Sequence, residues 1–215
     1  MTIRVQAGGG MGGFGAQHSQ SREAWLLHSP GVKVVYPSNP VDAKGLLTAC
    51  INDPDPCVMI ESMMLLFTQK SEVPLGEYSI PLGVAKVVRE GTDITLISYG
   101  WMVHQALAAA DELAKEGISA EVIDLRSLMP IDYHRVLTSA RKTGRALVVH
   151  SAVEFCGYGA EIATTINSEL WRDLKAPADR LGAAYAPIAY SNAIEFSQVP
   201  MNPAIVARAR DIVKS

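Results

Sequence analysis

Short apolar runs alternate along the chain with longer segments in which apolar residues recur at helical spacing. The apolar runs are rich in β-branched residues and are bounded by glycine or proline, which is typical of buried strands. The longer segments begin at capping residues and end near glycine, as helices do. Strands that alternate with helices in this way predict an α/β fold, with a mainly parallel sheet and helices on its faces.

The pattern predicts eight strands and six helices. The predicted strands are residues 2–5, 32–36, 57–60, 84–88, 94–98, 120–123, 146–149 and 180–183. The predicted helices are residues 19–27, 39–51, 102–115, 132–142, 160–170 and 202–213. Asn39 and Asp132 are expected to cap the helices that follow them, and Gly117 and Gly144 to end the helices at 102–115 and 132–142.

A stretch without clean periodicity, residues 62–80, separates two units of unequal completeness. The second unit has enough strands and helices to close a three-layer domain. The first has only three strands and two helices. Right-handed crossovers that step in one direction would place both helices on one face of its sheet, yet such apolar strands require cover on both faces. We therefore expect the first unit to be covered by a partner or to belong to a larger domain that continues upstream.

Composition restricts the class of protein. Hydrophobic residues make up 48% and charged residues 19%, a balance typical of globular proteins with a good core. The net charge of −3 argues against partners such as nucleic acid or an anionic membrane. The three cysteines are odd in number and lack metal-ligand spacing, which favours a cytoplasmic location. Cys50 and Cys57 lie in apolar surroundings and are expected to be small buried hydrophobes.

Six glycines occupy the eight positions from Gly8 to Gly15, directly after the first predicted strand. Residues 10–15 satisfy the G-x-G-x-x-G pattern of dinucleotide-binding loops. That fingerprint also needs an acid at the end of the next strand, but here the strand ends in Tyr36, Pro37 and Ser38. A stand-alone dinucleotide-binding domain therefore remains only a minor hypothesis.

His18 follows these glycines and lies among Gln17, Ser19 and Gln20, at a predicted helix start. The positive end of a helix dipole disfavours imidazolium, so a neutral ring is expected there. Such a ring can donate one hydrogen bond and accept another, which suits a carbonyl or carboxylate ligand. A local cap or a core histidine is an equally weighted alternative.

Asp53 and Asp55 alternate with prolines after the second predicted helix. A plain helix stop is the favoured interpretation. Short acids beside helix-terminal carbonyls would also make an oxygen-lined pocket for a cation.

Glu154 and Glu161 flank a glycine turn and are expected to be solvated charges. The other four histidines lack metal-ligand spacing: His28, His104, His134 and His150.

Long collinear blocks of the chain resemble one family. The blocks are GGGMGGFGAQHSQSREAWLLHSPGVKVVYPSNPVDAKGLL, DPDP, SYG, VIDLRSL, TGR and GYGAEI. In this order they resemble the beta subunit of the decarboxylating component of 2-oxo acid dehydrogenase complexes. The pyruvate, branched-chain and acetoin types belong here, within the transketolase group.

The resemblance implies a domain division and partners. Residues 1–75 would be the second half of a pyrimidine-binding domain plus a linker, and residues 76–215 a transketolase carboxyl-terminal domain. The family pairs its beta subunit with an alpha subunit as an α2β2 heterotetramer with a beta–beta contact, and docks on a lipoyl acyltransferase core. It uses thiamine diphosphate with magnesium for oxidative decarboxylation of a 2-oxo acid and acyl transfer to lipoyl. The alpha subunit's Gly-Asp-Gly motif, which holds the magnesium, does not occur in this sequence.

The resemblance also implies site residues. His18 matches the active-site histidine of the family. A structural potassium site matches Cys50, Ile51, Asp53 and Asp55. The glutamate that activates the cofactor is expected upstream of Met1, so no cofactor-binding residue is assigned within the chain, and the chain alone is expected to be inactive. The alternative is a truncated, non-catalytic remnant that serves as an oligomerisation or interface module. Residues 182–190 depart from the family pattern.

Overall fold

The computed structural model describes residues 1–9 and 14–215. Its strands are β1 (Thr2–Ala7), β2 (Lys33–Val35), β3 (Cys57–Ser62), β4 (Lys86–Arg89), β5 (Ile94–Ser98), β6 (Ala120–Asp124), β7 (Ser127–Met129), β8 (Ala146–Val153) and β9 (Asp179–Ala183). Its helices are α1 (Gly15–His18), α2 (Glu23–Leu27), α3 (Pro40–Asn52), α4 (Met63–Thr68), α5 (Met102–Lys115), α6 (Tyr133–Thr143), α7 (Tyr158–Leu170), α8 (Asn192–Gln198) and α9 (Asn202–Lys214). The predicted α/β fold with mainly parallel strands is confirmed.

The second sheet has the order β4-β6-β5-β8-β9, in which β4 runs antiparallel to its neighbour and the other pairs are parallel. Successive side chains of a strand point to opposite faces. Leu96 accordingly packs with α5 and α9 on one face, and Ile97 with α6 and α7 on the other. Because both faces are covered, β5 is buried along its whole length. This unit has the three layers that the sequence pattern predicted.

The first sheet has the order β1-β3-β2-β7. Strands β1, β3 and β2 are parallel, whereas β7 pairs antiparallel to β2 through Val34 with Met129 and Val35 with Ser127. Strand β7 comes from the second half of the chain, so it joins the two units. Strand β1 is the opposite edge, and its Ile3 and Val5 side chains are exposed. The first sheet is therefore less completely covered than the second.

Local capping explains where several helices begin and end. The Asn39 side chain accepts a hydrogen bond from Asp42 N at 2.9 Å, and Pro40 opens α3. Asp132 caps α6 by accepting from Arg135 N at 3.0 Å. Gly144 ends that helix with a left-handed φ of 73°. These sequence predictions are confirmed to within a residue or two.

Four elements were not predicted. Helix α1 lies just before the predicted helix 19–27 and outside its bounds. Helix α4 lies inside the stretch that was predicted to be a connection. It was missed because its MMLLFT segment has no periodic pattern of polar residues. Helix α8 lies in the part of the chain that follows the departure from the family pattern. Strand β7 has only three residues and gains its partner through β2, which is 92 positions away at Val35 and Ser127. None of the helices in the described ranges is long and apolar enough to cross a membrane.

A buried acid lies where the two units meet. Asp124 ends β6 and is fully buried. Its carboxylate accepts hydrogen bonds from the Ser38 hydroxyl and from Arg126 N, the latter at 3.0 Å. His104 Nε2 lies 2.8 Å from the Ser38 carbonyl oxygen and adds a further bond between the units. Burial raises the pKa of Asp124 to about 7.

Asp124→Asn is expected to change how stability depends on pH. An unfolded aspartate ionises near pH ~4, whereas folded Asp124 keeps its proton until pH is about 7. Between these values the folded native chain binds the extra proton. Its stability relative to the variant therefore falls as pH rises through this window, by on the order of a few kcal/mol. Asparagine can still accept from Arg126 N and donate to Ser38, so both bonds survive.

Urea unfolding of both chains across this window measures the difference. Burial lowers the pKa of His150 to about 4, and this opposes the Asp124 effect by destabilising the fold as pH falls below about 6.5. Because both chains contain His150, its contribution cancels in the comparison. A difference in stability that stays constant with pH would show that Asp124 does not carry the proton.

Candidate functional site

The parallel strands β1, β3 and β2 all end on the same side of the first sheet. In α/β proteins, ligands bind beside these carboxyl ends of the strands. The glycine-rich segment begins here, directly after β1, and Gly8 has a left-handed φ of 87°. A Cβ atom at Gly8 would lie 3.0 Å from the Tyr36 hydroxyl oxygen, so the close packing favours glycine. The dinucleotide pattern at residues 10–15 lies mostly outside the described residues.

His18 is the last residue of α1 and its side chain is exposed. The prediction that it lies at the start of a helix spanning 19–27 was wrong, because residues 19–22 are not helical and α2 begins at Glu23. Residues 19–22 instead make hydrogen bonds to distant parts of the chain, and these outweigh their helix propensity. The Gln20 carbonyl accepts from Gly8 N at 3.3 Å, and Ser21 Oγ lies 3.0 Å from Ser151 Oγ. The positive end of a helix dipole therefore does not act on the imidazole as expected.

His18 lines a cavity of about 490 Å³. One part of the wall is apolar and comes from the first sheet and the elements beside it. Most of the polar lining comes from the segment that carries His18, which also contributes the apolar rings of Phe14 and Trp25. The apolar lining includes Val5, Ala7, Leu26, Ile60 and Met63, and the polar lining includes Gln17, His18 and Arg22. The imidazole makes no hydrogen bond to another described residue, so it is free to contact a ligand with an apolar body and a polar end.

A second, wider cavity of about 990 Å³ adjoins the first. Gln20, Arg22 and Trp25 line both, so the start of α2 forms the wall between them. The second unit contributes Phe155 and Tyr185 to the wider cavity, and their rings pack edge to face at 5.3 Å. The site is thus built from both units, which the order of motifs in the sequence did not indicate.

Fully buried polar residues lie in and behind this wall, and one of them, Glu23, also lines the first cavity. The Tyr99 hydroxyl, after the end of β5, donates to Glu23 Oε1 at 2.7 Å. Burial raises the pKa of Glu23. His150 stacks on Tyr99 at 6.4 Å, and its Nδ1 lies 3.1 Å from the Ala152 carbonyl oxygen. Sequence reasoning missed this cluster, because Glu23 has the appearance of an ordinary first-turn acid and His150 has no metal-ligand spacing.

The residues of the predicted potassium site lie at the end of α3. Asp53 accepts from Lys33 Nζ at 2.8 and 2.7 Å, and Asp55 pairs with the same ammonium at 3.1 Å. The Cys50 carbonyl accepts from Thr2 Oγ1 at 2.8 Å, and the Ile51 side chain is exposed. The described residues contain no group of three or more histidines, cysteines or acids arranged for a metal ion. The potassium site stays a prediction.

The cysteine and glutamate predictions have separate outcomes. Cys50 and Cys57 are buried as expected, and burial raises the pKa of the Cys50 thiol to about 12. Glu161 is exposed, as predicted for a solvated charge. The same prediction for Glu154 was wrong, because its carboxylate is half-buried and accepts from Gly182 N at 3.2 Å. Glu154 directly follows β8 and still lies beside β9, since its N–H donates to the Ala183 carbonyl oxygen at 2.9 Å.

Two family models match the chain. The transketolase pyrimidine binding domain matches residues 1–68, and the transketolase C-terminal domain matches residues 83–205. The second match alone covers more than half of the chain. The boundary between the two matches falls in the strand-free segment between the end of α4 and the start of β4.

Curated relatives resemble the whole chain. The pyruvate dehydrogenase E1 component subunit beta of Bacillus subtilis is 44% identical, over 100% of this chain and 65% of that protein. The acetoin:2,6-dichlorophenolindophenol oxidoreductase subunit beta of Cupriavidus necator is 41% identical, over 100% and 63%. The 2-oxoisovalerate dehydrogenase subunit beta of Pseudomonas aeruginosa is 40% identical, over 97% and 62%. The chain therefore spans somewhat less than two thirds of the length of these relatives.

Solved structures share the fold. One described as a split gene transketolase, inactive beta4 tetramer, matches with a TM-score of 0.78 and 23% identity, over 99% of this chain and 66% of that chain. A transketolase from Pichia stipitis matches with a TM-score of 0.67 and 16% identity, over 99% and 29%. The resemblance found in the sequence is confirmed: the chain belongs to the transketolase family, with a part that matches its pyrimidine-binding domain followed by its carboxyl-terminal domain.

Proposed function

We propose that the chain is part of the beta subunit of a thiamine-diphosphate-dependent 2-oxo acid dehydrogenase. Such an oxidoreductase decarboxylates a 2-oxo acid and transfers the acyl group to a lipoyl group. The observation that carries the proposal is the position of His18. Its side chain lines a cavity at the carboxyl ends of parallel strands and has no hydrogen-bond partner among the described residues. The beta-subunit names of the relatives support the reaction class.

The domain division belongs to this proposal. Residues 1–75 supply the second half of a pyrimidine-binding domain and its linker, and residues 76–215 supply the carboxyl-terminal domain. An alpha subunit completes the active site in an α2β2 assembly with a beta–beta contact. The lipoyl acyltransferase core is the further partner, and the proposed location is the cytoplasm.

The cavity suits the aromatic part of the cofactor but not its diphosphate and magnesium. Its apolar wall, which includes Val5, Leu26 and Met63, suits an aromatic ring. The described residues provide no acidic cluster for magnesium, so the alpha subunit is proposed to hold the metal and the diphosphate. Thiamine diphosphate, when bound, supplies a carbon nucleophile and an electron sink for decarboxylation.

The chain's own residues bind and orient the substrate in this proposal. His18 holds the 2-oxo carbonyl oxygen by a hydrogen bond at the point where negative charge develops. Arg22 lines the same cavity and places a positive charge where it attracts the substrate carboxylate. The apolar wall receives the side chain of the acid. Both polar groups are on the exposed side of the wall, where a substrate can reach them.

Of the sites included in this proposal, the structural potassium site agrees least well with the residues present. Asp53 and Asp55 already pair with Lys33, so their charge is balanced within the chain. A cation at this turn would have to be held by backbone carbonyl oxygens, such as that of Cys50. No step of the reaction depends on this site.

The test is to express the full reading frame that encodes this chain together with an alpha subunit, and to assay several 2-oxo acids. We expect carbon dioxide release that depends on thiamine diphosphate and acylation of an added lipoyl domain. Assembly with the alpha subunit but no turnover on any acid would favour the non-catalytic interface module instead. Binding of NAD by the chain, without response to thiamine diphosphate, would support the dinucleotide-binding alternative.

A further inference from the structure

One buried hydrogen bond connects the segment that carries His18 to the second unit. The Tyr99 hydroxyl donates to Glu23 Oε1 at 2.7 Å, and both residues are buried, with exposed fractions of 2% and 0%. Glu23 Oε2 has no hydrogen-bond partner in the described part of the chain. A bond in such surroundings is expensive to break, because an unsatisfied buried group loses its solvation without compensation.

Tyr99 is held rigidly on the side of the second unit. Its ring lies 5.7 Å from the ring of Tyr36 and 6.4 Å from that of His150, the latter nearly parallel with an interplanar angle of 8°. Gly100, which follows it, has a φ of 57°, and its N–H donates to the Tyr36 carbonyl oxygen at 3.3 Å. The hydroxyl of Tyr99 is therefore a fixed point to which α2 is attached.

The chain between this fixed point and His18 is short. Glu23 is the first residue of α2, and only residues 19–22 separate it from His18. Helix α1 has four residues, too few to be stable in isolation. Its position must come from contacts outside the helix. The described hydrogen bonds near it are those of Glu23 with Tyr99, of Ser21 with Ser151, of Gln20 with Gly8, and of Arg22 with the Gln17 carbonyl oxygen.

We propose that Glu23 and Tyr99 are positioning residues for His18. Their hydrogen bond holds the start of α2 against the end of β5 and thereby sets where the imidazole lies in the cavity. The effect on turnover rests on the proposed function, whereas the effect on the place of the ring does not. Positions of reacting groups must hold to within about 1 Å, since such a displacement can cost on the order of 100-fold in rate.

The first test observes the imidazole directly, in the chain labelled with ¹⁵N-histidine. The signals of His18 are identified by their loss in His18→Asn. Tyr99→Phe removes only the hydroxyl, and Glu23→Leu removes the acceptor; both are expected to shift and broaden the His18 signals. Glu23→Gln keeps an oxygen that accepts from Tyr99 and is expected to restore the native signals.

Tyr78→Phe is the matched control. It removes a tyrosine hydroxyl that donates to the Val41 carbonyl at 2.8 Å, away from α2. We expect it to leave the His18 signals unchanged. The proposal is overturned if Tyr99→Phe leaves the His18 signals native in a folded chain, if Glu23→Gln behaves like Glu23→Leu, or if Tyr78→Phe causes the same shift as Tyr99→Phe.

The second test measures turnover in the assembled enzyme. Tyr99→Phe is expected to lower kcat about 10-fold or more with a smaller change in KM, and Glu23→Gln to retain most of the native kcat. If the assembled native enzyme decarboxylates no 2-oxo acid, the proposed function fails, and the signals of His18 still decide the positioning role. Native turnover in Tyr99→Phe would overturn the role in catalysis.

Discussion

His18→Ala is expected to abolish most of the decarboxylation activity of the assembled enzyme. A side chain that hydrogen-bonds developing charge on the substrate typically contributes on the order of 100-fold or more to kcat. The imidazole is exposed at the cavity and supports no described hydrogen bond within the chain. Assembly and unfolding stability are therefore expected to stay native. The measurement is kcat and KM for carbon dioxide release, with the subunit composition determined in parallel.

His134→Ala is the matched control for this substitution. His134 is exposed on α6, outside both cavities. The same loss of an imidazole there is expected to leave kcat unchanged. If His18→Ala turns over at the native rate, or if the two variants lose activity equally, His18 has no part in the reaction. A rise in KM alone would show that it binds substrate without acting on the rate of the chemical step.

Gly100→Ala is expected to destabilise the fold strongly, through backbone strain and overpacking together. Gly100 has a left-handed φ of 57°, and an added Cβ would lie 2.6 Å from Tyr36 Cε2. The left-handed conformation costs about 1–2 kcal/mol for a residue with a Cβ. Overpacking against a buried ring adds about 1–3 kcal/mol. Because Tyr36 is buried between the two units, its ring cannot move away into solvent.

Gly117→Ala separates the two costs. Gly117 also has a left-handed φ, of 80°, but an added Cβ would meet nothing within 4 Å. It is therefore expected to lose only the conformational part, about 1–2 kcal/mol. Urea unfolding of the native chain and both variants measures the comparison. Equal losses in the two variants would show that the packing around Tyr36 is looser than the structure indicates.

Much of the second unit could be predicted from sequence because its signals are local. The cap at Asp132, the left-handed glycines at 117 and 144 and the apolar run of β5 each specify a boundary within a few residues. The one strand and three helices that were missed have no such local signal. Strand β7 exists because β2 offers an edge to pair with, which is a property of the folded chain.

The site was predicted less completely than the fold. His18 could be found because it stands in a polar group after a glycine-rich loop, and because the resemblance assigns it a role. Its place at the end of α1 could not be found, because the bonds of Gln20 and Ser21 that interrupt the helix reach residues distant in sequence. Glu23 and Tyr99 are 76 positions apart, and no periodicity connects them.

The fold class, the family and the candidacy of His18 can all be read from the order of residues, since periodicity, capping and motifs are written in neighbouring positions. Three features arise only when the chain is folded: β7 completes the first sheet, residues 19–22 leave the helix, and Tyr99 reaches Glu23. Each depends on which groups become buried together. A polar group in the interior must find a partner wherever the fold brings one, at any distance along the chain.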